Sequence, residues 1–225
     1  MTVRKVSFAI NEFYHLYSRG VDKRAIFIDE NDKKRFLRLL YLCNGTKPVV
    51  YKDIKDLNLI NIGTGDKLVA IGAYCLMPNH FHILVKEIVE GGISKFMGKL
   101  LTAYSSYFNK KYDRNGSLFS SEFKSSHADQ DEYLKYLFAY IHLNPVKIVD
   151  QNWRDRALLD KELIKTFLGR YYFSSFLDYS GFNREEGLIL NKIEFPQYFI
   201  NKGDFLDEIY GWLSTAPNQA LPLEG

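Results

Sequence analysis

LVAIGAYCL (68–76) and HFHILV (80–85), linked by Met77-Pro78-Asn79, form the stretch on which the architecture turns. Two apolar runs of strand length with a short link predict adjacent antiparallel strands meeting at a tight turn. The proline falls where no ladder donor is needed. Gly63 to Asp66 (GTGD) marks a turn before this unit, and Gly91-Gly92 ends it. Upstream, Glu12 to Arg19 (EFYHLYSR) is rich in aromatics and reads as a further strand. Asn31 to Leu42 carries apolar residues at 36, 37, 39, 40 and 42, a helical pattern with basic residues on the other side.

Downstream, Ile93, Phe96, Met97, Leu100, Leu101, Tyr104 and Phe108 recur at helical spacing and predict a long amphipathic helix. Asp113 to Gly116 breaks it, and Ser117 to Ser126 reads as extended. Asp129 followed by Glu132 resembles a capping box and predicts the start of a second helix, with Leu134, Leu137, Phe138 and Ile141 as its core stripe. Pro145 is expected to end it, because the residue before proline avoids the α region. The expected fold is α+β: an antiparallel sheet with helices on one face. From about Val149 onward, short helical and aromatic pieces such as Tyr171-Tyr172-Phe173 predict a partly helical extension.

Composition narrows the class. Apolar residues make up 46% of the 225, enough for a real core and against global disorder. Sixteen Tyr and 17 Phe can fill that core or offer stacking surfaces for bases. The formal charge of +3 permits binding of nucleic acid through local basic patches without arguing for it. Cys43 and Cys75 each lie in an apolar stretch and read as buried free thiols. No window reaches the ~18 apolar residues that span a membrane. Met1 to Ile10 does not have the apolar stretch of a signal peptide. The expected location is cytoplasmic.

Two short patterns carry chemistry. In a strand, His80 and His82 face one way and Phe81 the other, so two imidazoles can converge on one ion while Phe81 anchors the core. Neutral imidazole suits Zn, Mn, Fe or Ni better than Mg or Ca. Two ordinary surface or core histidines would give the same pattern. In the later helix, at ~100° per residue, Tyr140 falls roughly 110° from the centre of the core stripe. Asn144 follows one turn on, so phenol and amide can reach one ion-bound phosphate; Tyr133, two turns back on that flank, could stack on a base. A half-exposed packing tyrosine fits the periodicity equally well.

YCLMPNHFHILVKE (74–87) and YIHLNPVK (140–147) together closely resemble the single-tyrosine HUH transposases, and more narrowly the REP-associated tyrosine transposases. YHLYSRGVDKRAIF (14–27), the stretch 92–119 and YYFSSFLDY (171–179) fall in the expected order, so the resemblance covers about residues 12–180. It implies a ferredoxin-like sheet and Mg2+ or Mn2+ held by His80, His82 and a polar third ligand, Asn144. It further implies Tyr140 as a nucleophile that leaves a 5′-phosphotyrosine and a free 3′-OH. The implied partner is single-stranded DNA bearing hairpins of repetitive palindromic elements, cut and rejoined by a monomer or homodimer. Residues 1–148 would form the catalytic domain, with 149–225 packed on it.

Among the basic residues, Arg19, Lys23, Arg24 and Lys124 are the expected phosphate contacts. One departure stands out: Ser120 and Glu122 occupy places where many relatives carry Gln and Arg, which weakens a phosphate contact. That gives an alternative function, a non-cleaving binder of structured single-stranded DNA or RNA. A histidine-triad hydrolase is disfavoured because position 84 is Leu. His15, in the first strand, and His127, before the later helix, are expected in structural or surface roles, with a place at the site as the alternative for either, and His142 in packing or a hydrogen bond across the sheet.

Overall fold

The computed structural model describes residues 7–48, 50–150, 153 and 160–213. Its elements are β1 (Phe13–Arg19), α1 (Glu30–Cys43), α2 (Tyr51–Ile54), β2 (Val69–Met77), β3 (His80–Glu87), α3 (Gly92–Lys111) and β4 (Lys124–His127). After them come α4 (Asp131–Leu143), α5 (Val146–Val149), α6 (Lys161–Leu168), α7 (Phe176–Tyr179) and α8 (Lys202–Trp212). The strands pair in the order β2-β3-β1-β4, every pairing antiparallel. With α1 and α3 as crossovers this is the expected ferredoxin-like α+β arrangement. Part of the expected extension, 151–152, 154–159 and 214–225, lies outside the described residues, as do 1–6 of the N-terminal stretch.

The hairpin forms as its pattern demands. Met77 pairs with His80, so the turn shrinks to Pro78-Asn79, and Pro78 accepts from Ile26 and Phe27 N–H. Residues paired across antiparallel strands share a face. Leu84, His82 and His80 therefore lie beside His15, Tyr17 and Arg19, while Phe81 faces the other way. On Phe81's side sit α1 and α3: Phe36 packs on Phe81 at 4.9 Å, and Tyr104 on Phe36 at 4.9 Å. Gly92 opens α3 because a Cβ there would lie 2.1 Å from the Leu68 carbonyl oxygen. Buried Glu87, the last residue of β3, accepts from Ile93 N–H at 2.7 Å and so caps that helix.

Buried Asp32 ties the start of α1 to the end of α3. Its carboxylate completes a capping box with Asp29 and accepts from Tyr107 and Tyr112 hydroxyls at 2.9 and 2.8 Å and from Lys111 Nζ at 2.7 Å. Asp32→Ala strands these donors and removes the cap, so it should cost about 3 kcal/mol. A urea unfolding curve checks this: the midpoint should fall with little change in slope.

Three expectations need correction. The helices do not all lie on one face: α4 covers the opposite face of the sheet, the face that carries His82, and with its own other side meets the C-terminal helices. Tyr136 to Leu143 are consequently all buried, and a helix that is apolar all round has no stripe to read. Second, α4 starts after Gln130, with no side-chain cap, and not at Asp129. Ala128 N–H still bonds Phe13 carbonyl, which holds the chain on β4 too long for Asp129 to cap. Third, Pro145 does not push its predecessor out of the α region: Asn144 has φ −53° and ψ −40°. Asn144 N–H reaches Tyr140 carbonyl at 3.0 Å, and Leu143 and Val146 bury together with α6 to α8, offsetting the steric cost. The extended stretch forms a strand only over Lys124–His127, with an isolated bridge from Phe119 to Gly20.

The segment 171–195 runs along β2, where Leu76 N–H donates to Phe173 and Asn191 N–H to Ile71, so this edge is covered. Arg184 fastens it, bonding Asp178 Oδ2 at 2.6 Å and Tyr74 Oη at 2.9 Å. Both cysteines are free and buried, as expected. Among the described residues no helix is long and apolar enough to cross a membrane.

Candidate active site

The central strand β3 delivers His80 and His82 to one face, and α4 lays Tyr140 over them. The His80 and His82 rings are 5.0 Å apart and nearly perpendicular. The Tyr140 ring stands edge-on to His82 at 5.3 Å. Tyr140 is only 2% exposed, against the flank position its periodicity suggested, because α4 is enclosed on both sides. Asn144 is buried one turn on, with a long contact of 3.5 Å from its amide nitrogen to Tyr140 carbonyl.

Each histidine has one ring nitrogen engaged. His80 Nδ1 is 2.6 Å from Asn79 Oδ1, on the turn. His82 Nδ1 is 2.9 Å from His15 Nε2. His82 Nε2 and Asn144 Oδ1 are buried with no hydrogen-bond partner among the described residues. Buried polar atoms of this kind call for an explanation, and an absent ion is one. Burial first, then the positive charges possible at His15, His80, Lys147 and Arg19, holds His82 well below the usual histidine value. The ring is therefore the neutral imidazole that a metal needs.

His80, His82 and Asn144 could hold a divalent cation, and all three are uncharged. Among the described residues no group of three or more His, Cys, Asp or Glu is arranged for a metal. A ligand set of two imidazoles and an amide would leave the charge of the ion available to a phosphate.

Other site residues fall into two groups. Arg19 pairs in register with His80, and Lys124 with Tyr17, so both lie on the histidine face. Lys23 and Arg24 sit at the adjoining rim, where Asn79 Nδ2 donates to Lys23 carbonyl and Arg24 bonds Asp22 at 2.9 Å. Tyr133 is half-buried and stacks on Tyr136 at 6.4 Å, which in turn is 6.0 Å from Tyr140. Ser120 and Glu122 are both exposed, and Ser120 Oγ donates to Arg19 carbonyl at 3.2 Å.

His127 joins Glu12 at 2.9 Å on an exposed patch, and His142 reaches Ser175 Oγ at 2.8 Å in the core, as expected for both. Three residues were not singled out for the site. Tyr17 lies between His15 at 5.1 Å and His82 at 6.0 Å. Lys147 Nζ is 5.9 Å from the Tyr140 ring centre. His15 backs onto His82. Strand alternation from His82 through the register could have found Tyr17; Lys147 closes the YIHLNPVK motif.

No curated protein matches this chain. One solved structure that it resembles is described as a REP-associated tyrosine transposase bound to a REP hairpin. The identity is 13% and the TM-score 0.47, over 83% of this chain and 90% of that one. The family described as "Transposase IS200 like" matches residues 13–144, more than half of the sequence. The chain belongs to the IS200-like transposase family.

Proposed function

We propose that this protein nicks hairpin-bearing single-stranded DNA and transfers the cut strand, with Tyr140 as nucleophile and a divalent cation, Mg2+ or Mn2+, at His80, His82 and Asn144. The observation that carries this reading is the seating of the Tyr140 ring against His82 at 5.3 Å. It joins the one hydroxyl on that turn of α4 to the imidazole pair. Tyr140 Oη gives up its proton to solvent and forms the new bond to phosphorus, the bond to the 3′ oxygen breaks, and that oxygen takes up a proton from solvent. A 5′-phosphotyrosine and a free 3′-OH result.

A phenol with a pKa near ~10 is a poor nucleophile at neutral pH without help. A bound cation would polarise the scissile phosphate and neutralise its charge. Lys147 adds a positive charge beside the ring, where a forming phenolate would be favoured. Arg19 and Lys124 on the sheet face, with Lys23 and Arg24 at the rim, hold neighbouring phosphates. Tyr17 and Tyr133 offer ring faces to bases. Because the covalent link conserves the phosphodiester energy, a second 3′-OH can reverse the step and join a new strand. One tyrosine carries one covalent strand at a time, so complete exchange needs reuse of the site or a second protomer.

The test is incubation of the protein with a labelled hairpin oligonucleotide and Mn2+ or Mg2+. A covalent protein–DNA band that requires the cation supports the proposal. Tight hairpin binding with no cleavage under either cation would favour the non-cleaving binder, the reading to which Ser120 and Glu122 lend weight.

A further inference from the structure

We infer that His15 is a positioning residue for the metal site: its Nε2 holds the His82 ring so that Nε2 of His82 faces Tyr140 and the cation. This rests on the proposed metal site.

His15 is fully buried on β1, the strand next to that of His82, and among the described residues no charged side chain bonds it. The two rings meet edge to edge and nearly coplanar, with centroids 5.0 Å apart, an interplanar angle of 19° and the Nε2 to Nδ1 contact at 2.9 Å. The hydrogen bond and the Tyr140 ring packed against His82 at 5.3 Å together restrain both the tilt of the His82 ring and its flip. A flipped ring would set Cδ2–H against His15 Nε2, losing the hydrogen bond, and would put Cε1 where Nε2 faces the site. The Tyr17 ring lies against His15 at 5.1 Å, and the Tyr140 ring stands edge-on to it at 5.8 Å. The pair is thus packed from the sheet and from α4.

The proton assignment follows from the chemistry of the donor. A neutral His82 that gives Nε2 to a cation carries its proton on Nδ1, so His82 donates and His15 Nε2 accepts. His15 then keeps its own proton on Nδ1. The reverse arrangement, with His15 donating, places the His82 proton on Nε2 and closes that nitrogen to a metal. An acceptor at position 15 therefore selects the ligating form of His82. Carbonyl or carboxylate groups do this in most metal sites; here a second imidazole would.

The residue offers a clean separation of roles by substitution. His15→Gln can present its side-chain carbonyl oxygen near the place of Nε2 and keep an acceptor. His15→Leu fills similar space without one, and His15→Met serves where Leu does not fold. The experiment is titration of the full chain with Mn2+ alone, followed by electron paramagnetic resonance, with His82→Gln as the reference for loss of the site. Loss of an outer partner of a metal-bound histidine typically weakens binding about 10–100-fold. His15→Leu or Met should show that loss, while His15→Gln stays within about threefold of the parent. Binding of the hairpin without metal should be unchanged in all of them.

Equal Mn2+ affinity in parent and His15→Leu would overturn the role of His15, provided His82→Gln loses the ion. Equal weakening by Gln and Leu would also overturn it, since a purely structural residue behaves that way. If the parent and His82→Gln bind Mn2+ alike, the metal site itself is wrong, and the inference falls with it.

Discussion

Tyr140→Phe is expected to abolish the covalent protein–DNA adduct, a loss on the order of 10⁵-fold in the rate of its formation. Only the hydroxyl is removed. The ring keeps its contacts with His82, His15 and Tyr136 at 5.3, 5.8 and 6.0 Å, so the melting temperature and metal-free hairpin binding should stay near the parent's. Tyr136→Phe is the informative control, because Tyr136 lies one turn back on the same helix and is buried as well. It should retain the adduct. Denaturing gel electrophoresis of labelled DNA after incubation with Mn2+ gives both readings at once. An adduct that survives Tyr140→Phe and disappears in Tyr136→Phe would move the nucleophile by a turn.

His82→Gln should slow adduct formation by about 10²–10⁴-fold at a fixed Mn2+ concentration. A polarising cation contributes several kcal/mol to a phosphate reaction, and each 1.36 kcal/mol is tenfold. Glutamine fills the buried space, so the loss reports the ligand and not a cavity. His80→Gln should lose less and recover more as Mn2+ is raised, because His80 is half-buried where His82 is fully enclosed. Rates within threefold of the parent for His82→Gln, across a Mn2+ series, would remove the metal from the account.

Strand alternation was more legible in this sequence than angular position on the helices. From HFHILV alone, alternation separated Phe81 from His80 and His82, and the two faces of the sheet bear this out through Phe36 on one side and Tyr140 on the other. The α1 and α3 stripes were legible because each of those helices has one wet face. Helix α4 was not, since the sheet covers one side and α6 to α8 the other, and an angular argument about Tyr140 then has nothing to measure against. Whether α4 lies above or below the sheet is likewise a tertiary fact: it follows from which face the crossovers leave bare. The sequence motifs had pointed to Tyr140 among sixteen tyrosines by resemblance, where spacing could not. A place at the site for His15 was only an alternative in the sequence, because its partner is 67 residues away in the chain, and the β1–β3 register joins them. The turn from Asn144 into Pro145 was misread for a local reason: a pairwise steric preference gave way to burial of Leu143 and Val146.

The measurement that bears most directly on the central claim is mapping of the protein–DNA adduct itself. The adduct formed with Mn2+ and a hairpin oligonucleotide would be trimmed with nuclease and protease and sequenced by tandem mass spectrometry. The account predicts a nucleotide 5′-phosphate on Tyr140, in the peptide that continues into His142 and Asn144. A modification on any other residue, or cut DNA ending in a free 5′-phosphate with no adduct at any time point, would contradict it.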